Sequence, residues 1–490
     1  MSTQTIRNGA SIAINLQAGE TLKAVAVSGT YTLTGTAGSV RGTTIATAAT
    51  GGTYGPYAAA VTVLLASSVS SEIDFDSGTV PVIDTDTVAR VSTDSTGKVN
   101  GIVGGDGAQV NTWLKRKIVA GQQSNPITSP VLATPTVAEA AWAADLATAY
   151  TIRASAGTGL FRLTGGVLAG SVPANAEIKA SSIQTASNVG VTGVYQTAPG
   201  IEFVTTANNV RLKIYVGGGA YAAKFRVRVD GAFVKTRTLA AFGAVGVFRQ
   251  ISIDLSTYDA GFGKKVKIEW DGPAVASILS IDSGAIWEPF EGDRIRGIAY
   301  GDSFSAFGAN RSPHTAALAQ AMDIMGIEYT MSGVGGTGYT VDGGGNYKFS
   351  DAARLADLTA QPFDVAFVSG VTNDVASSAS SVTAAVASVL GQVRAALPGK
   401  PIFVIGAYNS TAGSSVLTQT QAETAALAGF NQVKDNLMWF VPCSTDSDGV
   451  WVTAGNSASM ISDGTHFTAA GETYGAMRIV RNIGKQLGIF

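Results

Sequence analysis

A chain of 490 residues is too long for one hydrophobic core, which stops growing at about 250–300 residues, so several domains are expected. An apolar fraction of 46% with a net charge of −2 excludes a highly charged disordered chain and offers no electrostatic footprint for nucleic acid. The single cysteine excludes an internal disulfide framework, no apolar run approaches the ~20 residues of a membrane helix, and Met1-Ser2-Thr3-Gln4 opens no basic-then-apolar leader, which predicts a soluble protein made in a cytoplasm without a signal peptide.

Residues 1–100 read as a small β-domain. Ile12, Ile14 and Leu16 alternate, Thr30–Thr34 and Val61–Leu65 are β-branched runs, and Gly51–Tyr57 breaks the pattern. The Ala/Gly/Thr/Ser richness and short strands loosely resemble β-domains at the front of bacteriophage tail and fibre proteins. That resemblance implies attachment to other virion proteins, a place on a phage tail and a homotrimer; a generic β-module is the alternative. Residues 101–150 read as a connector with three X-Pro steps, and the alanine-rich Val137–Tyr150 predicts a short helix.

A second β-domain, a sandwich of jelly-roll type, is expected over 151–290. Phe225, Val227 and Val229 alternate with Lys224, Arg226 and Arg228, and Asp230-Gly231 before Phe233 is a hairpin signal. Ile251, Ile253 and Leu255 repeat the alternation, as do Val266, Ile268 and Trp270. Tyr215, Tyr221 and Trp270 are candidates for sugar stacking, although alternation turns Trp270 toward the core. A rigid spacer or an oligomer contact are the other roles open to this domain.

From 291 to 490 strands alternate with helices, the signature of a parallel sheet covered on both faces. Ile298–Tyr300, Ile327–Met331, Val365–Val368, Ile402–Ile405 and Leu437–Val441 read as strands. Ser312-Pro313 starts a helix with serine as cap and proline in the first turn. Val382, Val386, Val389, Leu390, Val393 and Leu397 share one helical face, stopped by Pro398-Gly399, and Tyr474, Met477, Val480, Ile483 and Leu487 share another. Gly301-Asp302-Ser303 follows the first strand and Asn373-Asp374 the third, at carboxyl ends where such sheets hold their sites.

A serine hydroxyl becomes a nucleophile when a base takes its proton and a third group orients the base. Ser303, His466 and Asp463 supply these types, and His466 is one of only two histidines. Four blocks in order, Gly301-Asp302-Ser303, Ser332–Gly338, Gly370–Asp374 and Asp463-Gly464-Thr465-His466, resemble the SGNH hydrolases, also called the GDSL esterase superfamily. The resemblance covers about the last 195 residues and implies a flavodoxin-like α/β/α fold. It also implies Ser303 as nucleophile, His466 as base, Asp463 as orienting acid, and an oxyanion hole from the Ser303 and Gly336 N–H groups and the Asn373 amide, with Gly335 the alternative to Gly336.

Asp302 and Asp374 read as braces, His314 as a surface residue, Cys443 as inert packing, and Trp451 as either a pocket wall or loop packing. Neither a metal nor a cofactor is expected, since His and carboxylates do not cluster at ligand spacing and the glycine run lacks a P-loop lysine. By the same resemblance the substrate is an acetylated carbohydrate, on a bacterial surface if the protein rides a phage. A lipase or thioesterase of the same superfamily and a non-catalytic adhesive virion protein are the alternatives.

Overall fold

Residues 1–111 and 112–490 form two compact units in the computed structural model. It describes the strands between residues 2 and 103 and then residues 131–143, 151–152, 160–165, 167–168, 180–181, 198–217, 223–258, 263–271, 274–289, 295–306 and 312–489. In the first unit, Ser2–Ile6, Ser71–Phe75, Leu22–Val27 and Gly52–Tyr54 pair antiparallel in that order. Ser11–Leu16, Val61–Ser67, Tyr31–Ala37 and Thr44–Ala48 form a second antiparallel sheet. The glycine-rich break at 51–57 contains the short strand Gly52–Tyr54.

The second unit begins with two largely antiparallel sheets on one core. Phe203, Val227 and Ile268 come from one sheet, Leu212, Ile251 and Leu279 from the other. Each such side chain contributes roughly 1.5–3 kcal/mol when fully buried. The expected hairpin forms: Val229 pairs with Ala232, and Asp230 and Gly231 take φ of 49° and 82°, the left-handed pair of a type I′ turn.

The short helix expected over Val137–Tyr150 does not form at its start. Thr136–Ala141 is a strand paired antiparallel with Val247–Asp254, and Glu139 forms an ion pair with Arg249 of that strand. Alanine's helix preference is a few tenths of a kcal/mol per residue and yields to such pairing. Residues 144–150 and most of the connector, 104–130, lie outside the described residues, as does Tyr221.

The sheet of residues 291–490 is built from β1 (Ile295–Gly301), β2 (Ile327–Gly333), β3 (Val365–Ser369), β4 (Ile402–Ile405) and β5 (Met438–Val441). All pairs are parallel, in the order β2-β1-β3-β4-β5. The strands are buried on both faces. Ala299, Met331 and Phe367 pack with α1 (Ala317–Ile324) and α4 (Ala469–Gln486). Ile298, Tyr300 and Val368 pack on the opposite side with α2 (Ala379–Ala396) and α3 (Gln419–Val433).

All six apolar residues expected on one face from Val382 to Leu397 are buried. In α4 the expected face holds at Val480, Ile483 and Leu487, which are buried, and in part at half-buried Tyr474, but not at Met477. Met477 is 48% exposed, and the buried stripe runs through Gly475, Ala476, Ile479, Val480 and Ile483. Small residues let α4 approach α1, and a large side chain fits better outside that contact. Strand order reverses direction between β1 and β3, which opens a crevice at their carboxyl ends.

Candidate active site

Asp302 follows β1 and caps a single 3₁₀ turn, Ser303–Ser305, by accepting from the Phe304 N–H at 2.9 Å. The cap holds Ser303 at the strand end. The turn that carries Ser303 is thus braced by Asp302, as its sequence position suggested.

Ser303 Oγ lies 2.8 Å from His466 Nε2, and His466 Nδ1 lies 2.8 Å from Asp463 Oδ2. A carboxylate only accepts, so Nδ1 carries the proton and Nε2 presents its lone pair to the serine hydroxyl. Asp463 Oδ1 also accepts from the His466 N–H at 2.7 Å and the Thr465 N–H at 3.1 Å. Burial pushes the Asp463 carboxyl up, but these bonds and that from the imidazole outweigh it and hold the carboxyl at about 2. Asp463 therefore stays ionised across the neutral range. The His466 ring rests against Phe304, which also meets Tyr408 and Phe467.

The glycine block turns tightly after β2. The Thr337 N–H donates to the Val334 carbonyl at 3.3 Å, and Gly336 has φ of 75°, the left-handed position of a type II turn. Gly335 flanks Ser303, since a Cβ there would stand 3.9 Å from Ser303 Cβ, whereas Gly336 faces Gly343. Asn373 Nδ2 donates to the Thr337 carbonyl at 2.8 Å. An amide NH2 has two protons, so the second is left for a substrate oxygen.

Asp374 ties these blocks together by accepting from the Tyr339 N–H at 3.1 Å and the Thr340 N–H at 2.7 Å. A Cβ on Gly338 would lie 2.6 Å from Asp374 Oδ2, so only glycine permits this contact. Asp374 is a brace, and the structure gathers Ser303, His466, Asp463, Asn373 and the Gly335-Gly336 turn at the carboxyl end of the sheet. On the oxyanion role that the motif resemblance implies for it, Asn373→Ala is expected to lower kcat about 100- to 1000-fold, the cost of one lost donor, with little change in KM. Steady-state kinetics on a p-nitrophenyl ester check it.

Other residues singled out in the sequence go elsewhere. Trp451 is fully buried and its Nε1 donates to Asp446 at 2.8 Å, so it packs a loop. Trp270 is in the core, with Nε1 donating to the Ala274 carbonyl at 3.0 Å, and half-buried Tyr215 packs edge-on to Phe248. Cys443 is buried, and burial pushes its thiol well above the ordinary range.

His314 is not on the surface. It is 2% exposed, with Nδ1 2.9 Å from the Tyr329 hydroxyl and Nε2 2.8 Å from the Trp270 carbonyl. The β-sheet carrying Trp270 packs against the start of α1 and covers it, a long-range contact that local sequence does not encode.

The parallel sheet with helices on both faces resembles the fold of SGNH/GDSL-type hydrolases. Solved structures sharing it include the salicylyl-acyltransferase SsfX3 from a tetracycline biosynthetic pathway. That likeness has a TM-score of 0.51 at 14% identity and covers 70% of this chain and 99% of the other. An acetyl xylan esterase, Est2A, from the rumen bacterium Butyrivibrio proteoclasticus matches with a TM-score of 0.48 at 14% identity, over 70% of this chain and 100% of the other. A family two carbohydrate esterase from Clostridium thermocellum, solved with cellohexaose, matches with a TM-score of 0.48 at 14% identity, over 61% and 95%. No protein-family model and no curated protein sequence matches the chain.

Proposed function

We propose that the protein is a serine carboxylic-ester hydrolase that removes short acyl groups, acetyl foremost, from a carbohydrate polymer. The observation that carries the reading is the hydrogen-bonded series Ser303–His466–Asp463 beside the Asn373 amide and the Gly335-Gly336 turn. Ser303 Oγ attacks the ester carbonyl as its proton passes to His466 Nε2. The oxyanion is met by the Ser303 N–H, an N–H of the glycine turn and the Asn373 amide. His466 returns the proton to the leaving sugar oxygen, which leaves an acyl-serine. Water then attacks with His466 again as base, and carboxylate is released. Asp463 holds the tautomer and steadies the imidazolium.

The carbohydrate assignment is supported by the motif resemblance to carbohydrate esterases and by the β-rich modules ahead of the hydrolase. The loose resemblance of residues 1–100 to phage tail domains supports a place on a phage tail, as a homotrimer, with a jelly-roll module before the enzyme and bacterial surface polysaccharide as substrate. Hydrolysis of p-nitrophenyl acetate, butyrate and octanoate, with acetate release from acetylated polysaccharide, tests the substrate. Acetate-preferring cleavage and free acetate are expected. Faster cleavage of the octanoate would overturn the acetyl assignment.

A further inference from the structure

The turn that carries the acid and base sits at the surface: Asp463 and Gly464 are exposed, and the Asp463 side chain is 56% accessible. It is reached from another element by Asn409, a fully buried residue in the loop after β4. Asn409 Nδ2 donates to the Gly464 carbonyl at 3.1 Å and the Thr465 carbonyl at 3.2 Å. Its Oδ1 accepts from the Thr411 N–H at 3.0 Å and the Thr411 hydroxyl at 2.7 Å. Thr411 N–H requires an acceptor and the two carbonyls require donors, so the amide has one orientation.

The two carbonyls belong to the peptide groups whose N–H ends, on Thr465 and His466, donate to Asp463 Oδ1. Each peptide is thus gripped at its oxygen by Asn409 and at its nitrogen by Asp463. A carbonyl that accepts a hydrogen bond makes its own N–H a stronger donor. The loop of Asn409 is itself fixed: Glu423 of α3, fully buried, accepts from the Ala407 N–H at 2.7 Å and from the Cys443, Ser444 and Thr445 N–H groups at 2.9–3.0 Å.

We infer that Asn409 is a positioning residue, which sets the Asp463–His466 pair against Ser303 through the Gly464 and Thr465 peptide groups. The inference rests on the esterase reading only for its kinetic consequence. Asn409→Ala removes the two donors, and Asn409→Asp keeps the shape while setting carboxylate against the carbonyls.

The test pairs kinetics on p-nitrophenyl acetate with NMR titration of histidine-labelled protein. Two histidines make the titration simple to assign, and buried His314 is held neutral down to about 3. The expected result for Asn409→Ala is a fall in kcat of up to about 100-fold with KM within about threefold of wild type. The His466 titration, and the acid limb of kcat/KM with it, moves to lower pH, because a less well-held Asp463 stabilises the imidazolium less. A His466 titration that superimposes on wild type in both variants overturns the inference, whatever happens to kcat. A titration that moves in a wild-type background lacking ester hydrolysis upholds the positioning role and sinks the esterase reading instead.

Discussion

Replacing Ser303 with alanine is expected to lower kcat for ester hydrolysis by about 10⁴- to 10⁶-fold while leaving folding stability within about 0.5 kcal/mol of wild type. Ser303 is a half-buried residue whose hydroxyl reaches His466 Nε2 at 2.8 Å, and the turn around it is held by the Asp302 carboxylate and not by that hydroxyl. The loss should therefore fall on chemistry alone. His466→Ala should cost nearly as much, and the double variant little more, because a nucleophile and its base act as one unit. Initial rates on p-nitrophenyl acetate, with urea unfolding alongside, measure both quantities. Retention of more than about a tenth of the wild-type kcat by Ser303→Ala would remove the serine from the chemistry, since no single triad deletion is that mild.

The sequence marked this site because its blocks are local. Gly301-Asp302-Ser303, Gly370–Asp374 and Asp463–His466 each follow a strand or precede a helix with strong apolar periodicity. The strands appear at Ile295–Gly301, Val365–Ser369 and Ile402–Ile405, within a few residues of expectation. The supports of the site were not legible. Asn409 and Glu423 act on groups up to 56 residues away, and nothing in their neighbouring sequence distinguishes them from loop and helix-surface residues. Alternation does not reveal burial of the polar face. Lys224, Arg226 and Arg228 alternate with the apolar Phe225, Val227 and Val229, yet Arg226 and Arg228 are 5% and 6% exposed, because their face meets α1 and β2. Period-two patterning says which residues share a face, and it says nothing about a second domain covering the polar one.

That covered face leads to the second large effect: Glu269→Gln is expected to destabilise the fold by about 3–5 kcal/mol. Glu269 is fully buried and accepts from Arg226 and from Arg228 at 3.2 Å, with Lys267 at 3.0 Å and the Tyr329 hydroxyl at 3.1 Å. Burial pushes its carboxyl up, and the three cations outweigh that and hold it well below 4.5. Glutamine keeps the shape and removes the charge, leaving buried Arg226 and Arg228 and half-buried Lys267 with Asp323, which pairs with Arg228, and Asp271, near Arg226, as nearby anions. An exposed pair provides the contrast: Arg481 lies 3.5 Å from Asp448 with its side chain 58% accessible, and Arg481→Gln should change stability by less than about 1 kcal/mol.

The same cluster sets a pH dependence. Burial lowers His314 to about 3 against an ordinary value of 6.5, so between these values the unfolded chain binds a proton that the folded one refuses. Stability therefore falls as pH drops from about 6.5 toward 3. Glu269 acts in the same direction, contributing stability above its unfolded value near 4.5 that is lost as pH falls through its lower folded one. Buried Asp271, whose carboxyl burial pushes up to about 6, opposes this by gaining stability as pH falls below that value, so urea unfolding of wild type against His314→Gln at pH 7.5 and 5 isolates the histidine: the wild type should lose more stability than the variant over that interval. An effect of Glu269→Gln no larger than that of Arg481→Gln would mean that water or rearranged cations replace the lost anion, and that the buried charges do not join the β-module to the α/β sheet behind it.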